Sequence, residues 1–98
     1  MQIDIKVRDF CLTDAERNYA ERRLRFTMTC CDDRIENIVM WLSHTNGPHG
    51  GVGKCCRVQV VLTGLPDLVV EDIEADLCIA IDRAADRAGR TLARKINR

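Results

Sequence analysis

The sequence predicts a single α+β domain over residues 1–98, a two-layer β-α-β-β-β-α sandwich with two helices packed on one face of a four-stranded sheet. Four segments have strand character: two of them alternate apolar and polar side chains, which is typical of half-buried strands, and the others are rich in apolar residues that favour strands. Two other segments repeat their apolar side chains at helical spacing, and both need a sheet to cover them. A chain of this length has enough residues for one modest core.

The first strand is predicted over residues 2–8, where Ile3, Ile5 and Val7 alternate with polar or charged neighbours. The same segment lacks the apolar run of a secretion signal. No stretch of the chain approaches the roughly 20 apolar residues that a membrane helix needs. We therefore expect a cytoplasmic protein.

The first helix is predicted from Asp14 to about Phe26. Thr13 and Glu16 have the spacing of a capping box, in which each side chain bonds the backbone amide of the other residue. The apolar side chains do not form one clean stripe. Three share a face and two lie beside it: Ala15, Tyr19 and Phe26, then Ala20 and Leu24. The remaining surface is basic, with Arg17, Arg22, Arg23 and Arg25.

Residues 27–33 are a predicted connector, and residues 34–43 are a strand rich in β-branched and apolar side chains. Trp41 falls on the opposite side of this strand from Met40 and Leu42. We expect Trp41 to pack on the second face of the sheet, with stacking on a nucleic-acid base as the alternative.

A glycine-rich stretch, residues 44–53, is predicted to be a flexible hairpin loop. It lacks the Gly-Lys-Ser/Thr ending of a phosphate-binding loop, and it precedes a strand rather than a helix. Strands over residues 54–63 and 68–73 follow, separated by a turn that contains Pro66. These three consecutive strands should form an antiparallel meander, with the first strand alongside.

The last helix, predicted over residues 76–98, has two faces of opposite character. Its apolar side carries Leu77, Ile81, Ala84, Ala85, Ala88, Leu92 and Ile96. Steps of four, three, four and four place five arginines in one stripe: Arg83, Arg87, Arg90, Arg94 and Arg98. Gly89 costs this helix about 1 kcal/mol relative to Ala. It either lets another helix or a ligand backbone approach closely, or it is a tolerated surface glycine.

The charge is unevenly distributed along the chain. From Asp82 to the C-terminus there are six basic and two acidic residues, a net +4, so residues 1–81 carry −4. Asp82 and Asp86 can pair with arginines of the stripe, which would weaken its field without cancelling it. Arginine is the preferred cation for bidentate binding of phosphate, so the stripe favours a polyanionic partner. Four carboxylates before the helix can cap it and complement its dipole: Glu71, Asp72, Glu74 and Asp76.

Six cysteines raise the question of a metal or redox site. Cys30-Cys31 and Cys55-Cys56 are adjacent pairs, whereas zinc sites usually have two residues between their cysteines. Neighbouring side chains in a strand point to opposite faces, so the second pair cannot readily share a metal. No histidine accompanies a cysteine or serine in a catalytic pattern. The sequence therefore favours a protein that is not an enzyme and that uses neither a metal nor another cofactor.

Four short stretches carry a family resemblance. They are Met1-Gln2-Ile3, Leu12-Thr13-Asp14-Ala15 opening the first helix, Asp33-Arg34-Ile35 entering the second strand, and the acidic entry Glu74–Asp82 into the basic last helix. Taken together over nearly the whole chain, they resemble the ribosome hibernation-promoting and ribosome-associated inhibitor proteins, also called sigma-54 modulation proteins. The resemblance is to the short forms, without the C-terminal extension by which long members pair ribosomes.

This resemblance implies a cytoplasmic bacterial protein that binds the small ribosomal subunit, with no membrane or small-molecule substrate involved. Family members occupy the channel for messenger and transfer RNA and block translation in stress or stationary phase. Their basic helical residues contact the ribosomal RNA backbone. The matching positions here are Arg22, Arg23 and Arg25 in the first helix, and Arg83, Arg87, Arg90, Arg94 and Lys95 in the last.

Two other functions remain open from the sequence. The arginine stripe could dock on an acidic protein surface, which would make the chain a protein-interaction module. The two cysteine pairs could instead serve as a redox or metal sensor. Persistence of a partner after nuclease treatment would indicate the first function, and metal content of the purified protein would indicate the second.

Overall fold

The computed structural model describes residues 1–46 and 51–96, apart from the side chain of Cys30. The glycines at the centre of the predicted loop, and Arg98, lie outside the described residues. The elements are β1 Gln2–Val7, α1 Asp14–Met28, a 3-10 helix Thr29–Arg34, β2 Ile35–Asn46, β3 Val52–Leu62, β4 Leu68–Glu74 and α2 Leu77–Ile96. Neither described helix is both long enough and apolar enough to cross a membrane.

The four strands form one sheet in the order β1-β2-β3-β4. β1 pairs with β2 in parallel, and the other two pairs are antiparallel. Alternate side chains at the centre of β2 are fully buried under the helices: Ile38, Met40 and Leu42. α2 packs against β3 and β4, while α1 lies beside α2 and contacts β1. The predicted α+β sandwich with both helices on one face is confirmed.

α1 turns a different face to the core than its large apolar residues indicate. Its buried side chains are Ala20, Leu24 and Met28, which recur every fourth residue. Phe26, in contrast, is 75% exposed. The predicted grouping of Ala15, Tyr19 and Phe26 therefore does not identify the core face, because two small or medium side chains and a methionine fit against α2 and the sheet.

The start of α1 is as predicted, but its end is not. Thr13 accepts a hydrogen bond from the Glu16 amide at 3.1 Å, and Glu16 accepts one from the Thr13 amide at 3.0 Å, which completes the capping box. The helix continues to Met28 and is followed directly by the 3-10 helix, where a connector was predicted. Thr27 and Thr29 donate their hydroxyls to carbonyls of the preceding turn, a contact that threonines make when they lie within helical conformation.

The two faces of α2 are confirmed. Asp76 caps its start, because its carboxylate accepts a hydrogen bond from the Cys78 amide at 3.0 Å. The apolar side is buried from Leu77 to Leu92, and Ile96 packs against the core at its margin.

Gly89 lies where the two helices approach each other closely. A Cβ atom at this position would lie 2.8 Å from the backbone carbonyl oxygen of Thr27 and 3.1 Å from its Cβ. Of the two interpretations left open by the sequence, close approach of the other helix is therefore the correct one. Glycine permits this short distance between the helices, although its helix propensity is lower than that of alanine.

We expect Gly89→Ala to lower the free energy of unfolding by about 1–3 kcal/mol, as overpacked substitutions do. The new methyl group meets backbone atoms, which cannot move without separating the helices, and this outweighs a propensity gain of about 1 kcal/mol. Urea unfolding followed by circular dichroism measures the change. Thr91→Ala, in the same helical turn, is the control for a propensity gain without a backbone clash, and it also removes the long 3.5 Å hydrogen bond from Arg94. Greater stability of Gly89→Ala than of the unsubstituted protein would contradict the close contact.

Candidate nucleic-acid interface

The outer side of α2 carries a row of arginines that we call the arginine stripe: Arg83, Arg87, Arg90 and Arg94. All four side chains are exposed, and the opposite side of the helix is buried. At 1.5 Å per residue, the stripe extends for about 16 Å along the helix axis. It is therefore a continuous line of positive charge that faces solvent.

Two members of the stripe are anchored on the neighbouring strand β4. Arg87 donates a hydrogen bond to the backbone carbonyl of Glu71 at 2.9 Å, and Arg83 lies 3.6 Å from the carboxylate of Glu74. The Arg83 side chain is still 66% exposed, so this pair contributes little energy and leaves the guanidinium accessible. Within the described residues, neither Arg90 nor Arg94 forms an ion pair. The stripe thus keeps most of its charge.

α1 contributes further cations to the helical layer. Arg22 and Arg25 are exposed, and no ion pair restrains either of them in the described part of the chain. Lys95, near the end of α2, is partly buried. Of the eight positions that the family resemblance implies for RNA contact, six are therefore exposed, and Arg23 and Lys95 are not.

Arg23 lies between the two helices. Its Nε is 3.1 Å from Asp82, and its Nη2 donates a hydrogen bond to Asp86 at 2.6 Å. The predicted pairing of these two aspartates with the arginine stripe is not found among the described ion pairs, which join both of them to Arg23 instead. Asp86 nevertheless lines one shallow surface with three arginines of the stripe: Arg83, Arg87 and Arg90. We call the group formed by Tyr19, Arg23, Asp82 and Asp86 the interhelical seam. Arg23 offsets only one of the two carboxylate charges, so the seam keeps one excess negative charge beside the stripe.

Tyr19 completes the interhelical seam by donating its hydroxyl hydrogen bond to Asp82. This hydrogen bond, followed by partial burial, raises the pKa of Tyr19 above its ordinary value of 10.0. The bond therefore stabilises the fold fully below pH 10, and this contribution is lost as the pH rises through the higher pKa of the folded protein. At neutral pH the seam is intact.

The seam also fixes the relative direction of the helices. Tyr19 contacts Asp82 and Arg23 contacts Asp86, both at a separation of 63 residues. Because the partner in α2 advances with the position in α1, the two helices run parallel. The exposed arginines of α1 and the arginine stripe consequently lie on the same helical layer, on either side of the seam.

An exposed aromatic residue, Phe26, accompanies these cations and was not among the predicted site residues. The Arg23 guanidinium lies 5.8 Å from the centre of its ring. Tyr19, Arg22 and Arg23 line the same shallow surface. The signal in the sequence was the regular spacing of Ala20, Leu24 and Met28, which places Phe26 on the outside of the helix.

The cysteines do not form a candidate site in the part of the chain that the structure describes. Cys55 faces the open side of the sheet and Cys56 is fully buried beneath the helices, as strand alternation predicts. Burial raises the pKa of both thiols and of Cys78, which disfavours the reactive thiolate. Among residues 1–46 and 51–96, no group of three or more side chains has the arrangement of a metal site.

Comparisons with known proteins agree with this architecture. The model of a family described as "Sigma 54 modulation protein / S30EA ribosomal protein" matches residues 3–98. The N-terminal domain of Protein Y from Thermus thermophilus is 33% identical, with a TM-score of 0.80 over 97% of this chain and 99% of that chain. A ribosomal subunit interface protein from Coxiella burnetii, 18% identical, has a TM-score of 0.86 over 100% of both chains, which shows a shared fold. No curated protein matches the sequence.

Arg22 and Arg23 lie in different environments, so replacing each of them by methionine should change the free energy of unfolding by different amounts. Arg23→Met removes both ion pairs and leaves two carboxylates side by side, so we expect a loss of about 1 kcal/mol in the free energy of unfolding. Arg22→Met, one residue away and exposed, should change it by less than about 0.5 kcal/mol. Urea titration of both variants provides the comparison. Equal losses would show that the seam does not hold the helices together.

Proposed function

The chain belongs to the sigma 54 modulation protein / S30EA ribosomal protein family, and we propose that it inhibits translation by binding the small ribosomal subunit through ribosomal RNA backbone contacts. The family consists of ribosome-associated factors. The observation that carries the proposal is the arginine stripe, in which four exposed guanidinium groups form one row on α2. The protein acts in this account as a bound ligand rather than as an enzyme.

The chemistry of the stripe suits an RNA backbone better than a protein surface. Guanidinium groups bind phosphate oxygens through paired hydrogen bonds, and neutralisation of each phosphate releases counterions. Folded RNA presents its phosphates in closely spaced rows, whereas its major groove is too deep and narrow for side chains to read. A 16 Å row of arginines therefore matches a backbone contact that does not depend on base sequence.

The two helices contribute unequally to the proposed contact. Arg22 and Arg25 extend the positive surface onto α1, and Lys95 extends it towards the end of α2. Arg23 is a positioning residue, because its charge is already satisfied by Asp82 and Asp86. It holds the two cationic surfaces side by side, so its replacement weakens binding indirectly.

In this proposal, translation is inhibited because the bound protein occupies a channel that the ribosome needs. A protein held by phosphate contacts in the channel for messenger and transfer RNA excludes both ligands by volume and charge, and no covalent step is needed. The ribosome is thereby kept idle during stress or stationary phase, which is the hibernation role that the family resemblance implies. Dissociation at lower protein concentration restores the free channel, since binding is reversible.

The sharpest test reverses charge at the two stripe positions that make no described ion pair. We expect the double variant Arg90→Glu with Arg94→Glu to lose co-sedimentation with purified small subunits, because two phosphate attractions become repulsions. Its circular dichroism spectrum and unfolding midpoint should stay close to those of the unsubstituted protein, since both positions are exposed.

The matched control is the double variant Arg90→Lys with Arg94→Lys, which keeps the charge and loses the bidentate geometry. It should retain co-sedimentation with a moderately weaker affinity. Unchanged co-sedimentation of the charge-reversed protein would refute the proposal. Retention of the unsubstituted protein on a cellular partner after complete nuclease digestion would instead support a protein-interaction module.

A further inference from the structure

The face of the sheet turned away from the helices holds an open pocket of about 560 Å³. Trp41 points into this face, because its neighbours Met40 and Leu42 are fully buried on the other side. The pocket lies opposite the helical layer and is therefore separate from the arginine stripe.

One cross-strand row of side chains runs through the pocket. The register places Lys6 beside Trp41, Trp41 beside Arg57, and Arg57 beside Glu71. Since neighbouring strands are about 4.8 Å apart, the Cα atoms of Lys6 and Arg57 flank that of Trp41 at a total separation of about 10 Å. The row thus presents one aromatic ring between two cations. Its order comes from three separate strand pairings, so the sheet fixes it rigidly.

The pocket has a surplus of positive charge. Lys6, Arg8 and Arg57 line it and are all exposed, whereas Glu71 is its single carboxylate. Within the described residues, none of the three cations forms an ion pair. The Glu71 carboxylate lies close to the Cys55 thiol at the β4 side of the row, away from Lys6 and Arg8. The charge is complementary to an anionic ligand.

The ring of Trp41 favours anionic ligands that also contain a flat ring. The Arg57 guanidinium lies 5.9 Å from the centre of the Trp41 ring, near the outer limit of a cation–π contact. Trp41 is partly buried and Arg57 is exposed. Such a loose contact to an exposed guanidinium is worth only about 0.5–1 kcal/mol, so a stacked ligand can displace the guanidinium at small cost. Base–aromatic stacking contributes about 1–3 kcal/mol per base. A ligand with both a flat ring and phosphates therefore gains more here than an acidic peptide does.

From this arrangement we propose that the open face of the sheet binds single-stranded RNA, with one unpaired base stacked on Trp41 and the flanking phosphates held by Lys6, Arg8 and Arg57. A paired base cannot present its flat face to the ring, so the site discriminates against duplexes. The site is distinct from the arginine stripe, and it does not depend on binding of the small subunit. The protein accordingly has two RNA-binding faces, one on each side of the sheet.

The intrinsic fluorescence of the protein tests this site directly, because Trp41 is its single tryptophan. We expect an oligouridylate of about a dozen nucleotides to quench this fluorescence saturably at moderate salt. The double variant Lys6→Gln with Arg57→Gln keeps the reporter and should bind at least about tenfold more weakly. Both substituted positions are exposed, so the fold should be unaffected.

Two controls separate this site from the rest of the molecule. Arg90→Glu with Arg94→Glu should leave the quenching constant within about twofold, since the stripe lies on the other side of the sheet. Duplex RNA of the same length should quench weakly. The proposal would be overturned if the oligonucleotide did not quench the fluorescence, or if it quenched the Lys6→Gln with Arg57→Gln variant equally. It would also be overturned if duplex RNA quenched equally, or if polyglutamate bound more tightly than the oligonucleotide.

Discussion

The contact between the two helices is the constraint on which the rest of the structure depends. Gly89 lets α2 approach the backbone of Thr27 so closely that no larger residue fits. One turn further towards the start of each helix, Arg23 reaches Asp86, and Tyr19 and Arg23 share Asp82. These contacts fix the helices as a parallel pair. They also decide which charges are internal and which face solvent.

The separation of charge has a functional consequence. α2 carries aspartates and arginines in close succession, and its field would be weak if they neutralised each other. The interhelical seam limits this neutralisation, because the described ion pairs of Asp82 and Asp86 are with Arg23 of α1. A chain whose formal net charge is zero thereby presents an arginine stripe on the outside of its helical layer. Overall neutrality is a property of the whole chain and says little about the local field, which Glu74 and the two seam aspartates offset only in part.

Most of the fold could be predicted from the sequence because its signals are local. The capping box at Thr13 and Glu16, the alternation in β2 and the two faces of α2 each depend on residues a few positions apart. The core face of α1 was missed because Tyr19 and Phe26 are larger than the residues that occupy it. Helix propensity and size do not reveal which side of a short, mixed helix meets its neighbour.

The candidate site was predictable in part for the same reason. The spacing of the arginines along α2 is a local signal, whereas the partner of Asp86 is 63 residues away. Helical spacing predicted that Asp86 pairs with an arginine of α2, whereas its ion-pair partner in the structure is Arg23 of α1. The row formed by Lys6, Trp41 and Arg57 depends on the register between strands, which alternation within one strand does not determine.

The central claim is that the helical layer binds RNA through its phosphates, and the salt dependence of small-subunit affinity measures this most directly. If the four stripe arginines each neutralise one phosphate, the logarithm of the association constant should fall linearly with the logarithm of salt concentration, with a slope of about −3 or steeper. An affinity that stays constant across the same range of salt would contradict the account.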